Sequence, residues 1–194
     1  MLLSNTGRAT LNDMKALPTD LPDVLVLEPD VFGDDRGFFF ESWNEAAFGE
    51  ATGVAARFVQ DNHSRSVQGV LRGLHYQLPQ PQAKLVRCVV GAVWDVAVDI
   101  RKSSDSFGRW VGIELSAPNR RQLWIPAGFA HGFVVLTDAA ELLYKTTSFY
   151  NKEFDRAIAW NDPELAIDWP LNSAPVLSVK DESAPLVCDA LLFD

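Results

Sequence analysis

Short runs of β-branched and aromatic residues follow one another along most of the chain, with turn residues between them. Alternation is clearest in AVWDVAVDIR (92–101), where every second residue from Trp94 to Ile100 falls on one face. The intervening residues fall on the other face, as expected of a strand. Further strands are predicted for DVLVLEP, GFFFESW, RFVQDNHS, GVLRGLHYQ, KLVRCVVG, RWVGIELS, RQLWIP, GFVVLT and AELLYKTT. So many short strands at close spacing are typical of an all-β sandwich or jelly roll.

Helical signals are confined to a few segments. NEAAFGEAT (44–52) is the best early helix candidate, whereas EPDVFGDDRG (28–37) predicts a turn between two strands. The C-terminal third predicts loops and short peripheral helices that close over the sandwich. Residues 1–21 are polar and predict a mobile N-terminal arm. Residues 22–194 then predict a single jelly-roll domain, because they contain no internal repeat and no second domain.

Composition and charge exclude several classes of protein. The chain of 194 residues has a net charge of −9, which argues against broad nucleic-acid binding. A small anionic ligand would need a local cluster of Arg and Lys. The sequence has no apolar run long enough to span a membrane and no signal-peptide core, so a cytoplasmic protein is expected. Cys88 and Cys188 lie in apolar stretches and predict buried, reduced thiols.

Two motifs resemble the halves of the cupin signature, which belongs to a jelly-roll superfamily. GVLRGLH supplies the first half with Gly69 and His75, and PAGFAH supplies the second half, which ends at His131. Gln77 stands where a metal-binding cupin has its second His, and the following LPQPQAK contains no acidic residue. Two imidazoles fall short of the three protein ligands of typical catalytic metal sites. No bound metal is therefore expected.

His75 is then either a buried core residue or a base. A lone His on an apolar strand is more often structural. However, Arg72, Lys84 and Arg87 lie close to it in sequence. Burying several cations is unfavourable unless an anion binds beside them. A phosphorylated ligand would supply that charge.

Several blocks in order carry a more specific resemblance. They are VFGDDRGFFFESW, FVQDNHSRS, GVLRGLHYQ, KLVR, DVAVDIRKSSDSFG, LWIPAGFAHGF, AELLYK, WNDPELAIDWP and LSVKD. From about residue 22 to the C-terminus, the chain resembles the dTDP-4-dehydrorhamnose 3,5-epimerase family. The resemblance implies a cupin-like jelly roll without a cofactor, acting on a dTDP-4-keto-6-deoxy sugar. It also implies a homodimer, in which the N-terminal strand is exchanged between protomers.

The resemblance also assigns roles to individual residues. His75 would be the base, oriented by Asp181; Tyr144 would be the opposing acid, and Lys84 would stabilise the enolate. The residues that would hold the nucleotide sugar are Arg36, Glu41, Gln60, Asn62, Arg72, His131, Tyr150, Asp155 and Lys180. Tyr150 would stack on the thymine. At Asp155 and Arg156 the family commonly has Glu and Gly. The shorter carboxylate of Asp155 is therefore expected to contact the nucleotide sugar differently.

The residues alone leave other interpretations open. Tyr144 could be an ordinary strand aromatic, Lys84 an exposed edge charge, and Asp181 a helix N-cap. Epimerisation at one carbon only, a metal-dependent cupin and a non-catalytic nucleotide-sugar binder remain alternative functions.

Strict alternation raises a separate question about Arg72 and His75, because it places them on opposite faces of one strand. Either Gly73 marks a bulge, which would bring both into one pocket, or Arg72 points into a neighbouring subunit's site. The sequence therefore predicts irregular pairing at Gly73.

Overall fold

Two antiparallel sheets, packed face to face, form the centre of the computed structural model, which describes residues 14–194. The strands in chain order are β1 (Lys15–Pro18), β2 (Leu25–Glu28), β3 (Phe32–Asp34), β4 (Gly37–Phe39), β5 (Gln60–Val67), β6 (Leu71–Gln77), β7 (Lys84–Val90), β8 (Ala92–Asp99), β9 (Trp110–Ser116), β10 (Gln122–Ile125), β11 (Phe129–Val135), β12 (Ala139–Thr146) and β13 (Asp155–Ala157). The larger sheet has the order β1-β2-β10-β7-β12-β5, and the smaller has the order β13-β6-β11-β8-β9. Strands β3 and β4 form a separate hairpin. The predicted all-β sandwich is confirmed.

Strand β8 shows why the hydrophobic pattern predicts this architecture. Val93 and Ala97 face the core between the sheets, whereas Val96 and Val98 face outward. The outward face is also buried, because the C-terminal segment packs over it with Trp169 and other apolar residues. A strand with both faces covered is apolar at nearly every position, as this one is.

The outer face of the larger sheet is covered by α1 (Glu45–Thr52), in agreement with the predicted helix. Its N-cap is Asn44, whose side chain accepts hydrogen bonds from two backbone N–H groups of the first turn, and Gly53 ends it with a φ of 71°. Phe48 anchors the helix among Trp43, Phe58 and Trp124. The C-terminal third contains only α2 (Val179–Glu182) and a 3₁₀ turn, η1 (Val187–Asp189). None of the helices within residues 14–194 is long and apolar enough to cross a membrane.

Three short strands differ from the expectation. The segment 28–37, predicted as a turn, contains β3. This strand forms a hairpin with β4, in which Phe32 pairs with Phe39. Strand β13 and strand β1 were not predicted, because strands of three or four residues depend on a partner more than on their own pattern. Of the predicted arm, residues 1–13 lie outside the described residues, and Lys15–Pro18 pair with β2. Cys88 is buried as expected, but Cys188 is exposed.

Candidate active site

A cavity of about 230 Å³ lies between the sheets and is lined by strands of both. The smaller sheet contributes β6 and β11, and the larger sheet contributes β7 and β12. Eight of the thirteen predicted site residues line this cavity: Arg72, His75, Lys84, His131, Tyr144, Tyr150, Asp155 and Lys180. The fold therefore brings together residues that are more than 100 positions apart in sequence.

A bulge at Gly73 brings Arg72 and His75 to the same cavity. His75 pairs with His131 and Arg72 with Phe133, so three steps along β6 match two steps along β11. Gly73 has a φ of 132°, and a Cβ there would lie 2.5 Å from the Cα of Gly132. Only glycine fits such close backbone contact in this conformation. The predicted irregular pairing is confirmed.

His75, which is partly exposed, pairs with the buried Asp181. The Nε2 atom of His75 lies 2.5 Å from Oδ1 of Asp181, and the hydroxyl of Ser178 donates to Oδ2 at 2.7 Å. Asp181 lies within α2, whose N-cap is Ser178, so the interpretation of Asp181 as the N-cap is wrong. Burial acts to raise the pKa of Asp181, but the hydrogen bonds from His75 and Ser178 outweigh it and leave this pKa below its usual value.

The same pair determines which nitrogen of His75 can act as a base. Burial lowers the pKa of His75 below its ordinary value of 6.5, against the opposing effect of Asp181. The ring is therefore neutral at pH 7. Because Asp181 is ionised, the proton of the neutral ring sits on Nε2 and is donated to the carboxylate. This leaves the lone pair of Nδ1 for accepting a proton.

Lys84 is a buried cation beside the same His. Lys84 is only 7% exposed and lies on β7, an inner strand of the larger sheet. Its Nζ donates to the backbone oxygen of His75 at 3.2 Å. The interpretation as an exposed edge charge is therefore wrong. Burial lowers the pKa of Lys84 to about 8, while nearby Asp95 and Asp155 act in the opposite direction. Lys84 still carries its charge in most molecules at pH 7.

Tyr144 enters the cavity from the opposite sheet to His75. It lies on β12, where it pairs with Val86 on one side and Asn62 on the other. Burial raises the pKa of the Tyr144 hydroxyl above its ordinary value. The phenol therefore keeps its proton at neutral pH, and it can act as a proton donor.

A second His–Asp pair lies beside the first and was not predicted. The Nε2 atom of His131 is 2.9 and 3.0 Å from the two carboxylate oxygens of Asp95, which is fully buried. The signal in the sequence was an acidic residue on the core face of β8, between Val93 and Ala97. A buried carboxylate needs such a partner.

Three residues of the cavity lining, Tyr150, Asp155 and Lys180, form a polar cluster. The Nζ atom of Lys180 lies 2.5 Å from Oδ2 of Asp155, and the hydroxyl of Tyr150 donates to the same oxygen at 3.3 Å. Tyr150 is 54% exposed, so its ring is available to a ligand. Asp155 is on β13, opposite Gln77 of β6.

Four predicted binding residues do not line the cavity. Arg36 is on the β3–β4 hairpin, where it is exposed and paired with Asp34, and Glu41 accepts a hydrogen bond from Asn44. The side chain of Gln60 donates to Asn62. Its oxygen also accepts from the backbone N–H of Tyr150 at 2.9 Å, so Gln60 reaches the site indirectly.

The residues present do not fit the metal site of a cupin. His75 and His131 are each bonded to a carboxylate, and the amide of Gln77 is bonded to backbone groups of other residues. Within residues 14–194, no three His, Cys, Asp or Glu side chains come together in a group that could hold a metal ion.

Comparison with known proteins supplies the family. A family model described as dTDP-4-dehydrorhamnose 3,5-epimerase matches residues 18–189. The enzyme of that name from Pseudomonas aeruginosa is 63% identical over 180 residues, which cover 93% of this chain and 99% of the relative. The relative of the same name from Mycobacterium tuberculosis is 43% identical, over 89% of this chain and 87% of the relative.

Solved structures agree. The crystal structure of dTDP-6-deoxy-D-glucose-3,5-epimerase from Legionella pneumophila, in complex with dTDP-4-keto-L-rhamnose, is 51% identical. It superposes with a TM-score of 0.89 over 91% of this chain and 94% of that chain. A 3′-monoepimerase from Streptomyces bikiniensis, in complex with dTDP-quinovose, is 36% identical, with a TM-score of 0.83 over 88% and 87% of the two chains. The chain belongs to the dTDP-4-dehydrorhamnose 3,5-epimerase family.

Proposed function

We propose that this chain inverts C3 and C5 of dTDP-4-dehydro-6-deoxyglucose, giving dTDP-4-dehydrorhamnose in dTDP-rhamnose biosynthesis. The observation that carries the proposal is the content of one cavity. A neutral His75, bonded to the ionised Asp181, enters it from one sheet, and a protonated Tyr144 and the buried Lys84 enter it from the other. The high identity to the 3,5-epimerases, compared with the lower identity to the monoepimerase, favours inversion at both carbons.

His75 is the proposed base. A C–H bond next to the C4 ketone can be broken when the electron pair moves into the ketone and forms an enolate. Nδ1 of His75 would take this proton, and Asp181 would stabilise the resulting imidazolium through Nε2. General base catalysis of this kind contributes about 10²–10⁴-fold in rate.

Lys84 is the proposed partner of the enolate oxygen. The negative charge that develops on the ketone oxygen needs a cation that is already in place. The bond from Nζ to the backbone of His75 keeps the ammonium close to the base. In a site shielded from water, such a charge is worth more than in solution.

Tyr144 is the proposed acid. Its hydroxyl would deliver a proton to the opposite face of the same carbon, which restores the ketone and inverts the centre. His75 is then protonated and Tyr144 is ionised, so both must exchange protons with water before the second carbon is processed. The net reaction is an isomerisation, and every proposed step uses side chains of the protein.

The remaining cavity residues suit a nucleoside diphosphate. Arg72 and Lys180 bring two cationic side chains to the lining of this cavity, within an acidic protein. The guanidinium of Arg72 can bind a diphosphate in bidentate fashion. The exposed ring of Tyr150 offers a face for the thymine, and stacking on a base is worth about 1–3 kcal/mol.

We also infer a homodimer, which accounts for the position of Arg36 outside this cavity. The β3–β4 hairpin exposes Phe32, Phe38 and Phe39, which is unfavourable for an isolated chain. In a dimer the hairpin would be covered, and Arg36 would reach the partner's cavity. The cytoplasmic location stays a prediction.

Co-expressing two inactive variants tests this arrangement. His75→Asn removes the base from one cavity, and Arg36→Ala removes the proposed contact to the other. If Arg36 acts across the dimer, the mixed dimers regain one intact site, and about a quarter of the sites become active. Activity no greater than that of the separate variants would contradict it.

Product analysis tests the reaction itself. Incubation with dTDP-4-dehydro-6-deoxyglucose should convert the ring-proton couplings in the NMR spectrum from those of the gluco to those of the rhamno configuration. Inversion at one carbon would make the chain a monoepimerase. Binding without conversion, together with unchanged behaviour of Tyr144→Phe, would leave a nucleotide-sugar binder.

A further inference from the structure

The segment at 149–151, which carries Tyr150, has its backbone bonded to the amide side chains of the buried Gln77 and the partly buried Gln60. Gln77 accepts a hydrogen bond from the N–H of Asn151 at 2.7 Å and donates to the backbone oxygen of Phe149 at 3.2 Å. Gln60 accepts from the N–H of Tyr150 at 2.9 Å. Consecutive peptide units are therefore held by side chains from two strands that belong to different sheets.

Gln77 is suited to holding this segment. It is 2% exposed, at the end of β6, two residues after His75. Its oxygen faces an N–H group and its nitrogen faces two carbonyl oxygens, those of Phe149 and Gln80. The amide therefore has one orientation that satisfies every neighbour. A buried residue with these bonds cannot rotate without leaving backbone groups unpaired.

The ring of Tyr150 depends on this support. More than half of the residue is exposed, and its hydroxyl has a single long bond to Asp155. Because so little packs around the ring, its orientation is set mainly by the backbone of 149–151. A flexible ring would have to be ordered when a ligand binds, and that ordering weakens affinity.

We propose that Gln77 is a positioning residue for the nucleotide: by holding 149–151, it orients Tyr150 to stack on the base of a nucleoside diphosphate. This proposal rests on the proposed function, which places the base at Tyr150. It also accounts for an amide at the position where metal-binding cupins have a ligand. Gln77 also lines the cavity, but its amide is bonded to the backbone of Phe149, Gln80 and Asn151, so it acts through Tyr150.

Replacement of Gln77 by Met tests the proposal, because Met has a similar length and no hydrogen-bonding amide. The matched control is Gln122→Met. Gln122 is also a buried strand glutamine, 1% exposed, and its amide donates to the backbone of Ser42, away from the cavity lining. Both variants and the wild type are titrated with dTDP and with inorganic pyrophosphate by calorimetry.

We expect Gln77→Met to bind dTDP about tenfold more weakly and pyrophosphate within about twofold of wild type. For the sugar substrate, KM should rise by a similar factor, while kcat stays within about twofold. Gln122→Met should leave the affinities for dTDP and pyrophosphate, KM and kcat unchanged. Unchanged dTDP binding by Gln77→Met would overturn the proposal. So would an equal loss for dTDP and pyrophosphate, or a fall in kcat that matches the rise in KM, because each indicates general distortion.

A second variant and a second measurement cover misfolding. Gln77→Glu keeps an acceptor for Asn151, but its carboxylate would be buried against the carbonyl oxygens of Phe149 and Gln80, so it should weaken dTDP binding at least as much as Gln77→Met. In the wild type, the amides of Tyr150 and Asn151 should exchange slowly with solvent, and rapid exchange would contradict their support by Gln60 and Gln77. Failure of the proposed function can be told apart from failure of this proposal. In that case the wild type itself would show no epimerisation, however tightly the variants bind dTDP.

Discussion

The pH dependence of the reaction should show an alkaline limb that belongs to Lys84. Burial lowers the pKa of this ammonium to about 8 from an ordinary value of 10.5. Because the lowered pKa means loss of charge as the pH rises, the protonated fraction falls from about 90% at pH 7 to about 10% at pH 9. An ordinary lysine would remain more than about 90% charged over the same range.

If the charged form is needed at the enolate oxygen, kcat/KM should fall about ninefold between pH 7 and pH 9. The assay is the initial rate of epimerisation at low substrate concentration, which reports the ionisations of the free enzyme. Tyr144 does not give a limb in this range, because burial moves its pKa upward, away from it.

Replacement of Lys84 by Met separates this effect from others. The variant should lose about 10²–10³-fold in kcat at pH 7, as expected when a charge-stabilising donor is removed. Its remaining activity should no longer decline around pH 8. A profile that is flat to pH 10 in the wild type, or a Lys84→Met variant within about threefold of it, would refute the role of Lys84.

Three substitutions test other parts of the site. Asp181→Asn should lower kcat by about 10²–10⁴-fold in kinetic assays, while calorimetry shows dTDP affinity within about twofold of wild type. A kcat near that of wild type would exclude the His–Asp pair from catalysis. Tyr144→Phe should bind dTDP normally and turn over at least about 10²-fold more slowly; full activity would remove it as the acid. Gly73→Ala should lower the free energy of unfolding by more than about 3 kcal/mol in urea denaturation, because its Cβ would lie 2.5 Å from the backbone of Gly132. The control is Gly53→Ala, where φ is also positive but no atom lies within 4 Å, and it should lose only about 1 kcal/mol; equal losses would contradict the close contact at Gly73.

The sequence predicts the sandwich well, because most strands carry their own pattern. Strand β8 is an example, since its two apolar faces are visible in the alternation from Val93 to Ile100. The bulge at Gly73 could also be predicted, because Arg72 and His75 would otherwise point to opposite faces. Strands β1, β3 and β13 could not, since each is too short to have a pattern and is defined by its partner.

The candidate site shows the limit of local patterns. His75 and Asp181 are 106 positions apart, and their pairing was predicted only through the family resemblance. Local patterns do not single out Asp95, because it is one polar residue in an apolar strand, although its burial makes it the partner of His131. Arg36 and Glu41 do not line the cavity, because the hairpin and the segment that follows it place them elsewhere.

Deuterium exchange tests the central claim, that His75 removes protons next to the ketone on both sides. The wild type and His75→Asn are incubated with dTDP-4-dehydro-6-deoxyglucose in D₂O, and the sugar protons are followed by NMR. The account predicts that the wild type introduces deuterium at both C3 and C5 and that His75→Asn introduces it at neither carbon above the rate without enzyme. Exchange by His75→Asn at the rate of the wild type, or no exchange by the wild type despite measurable binding, would contradict it.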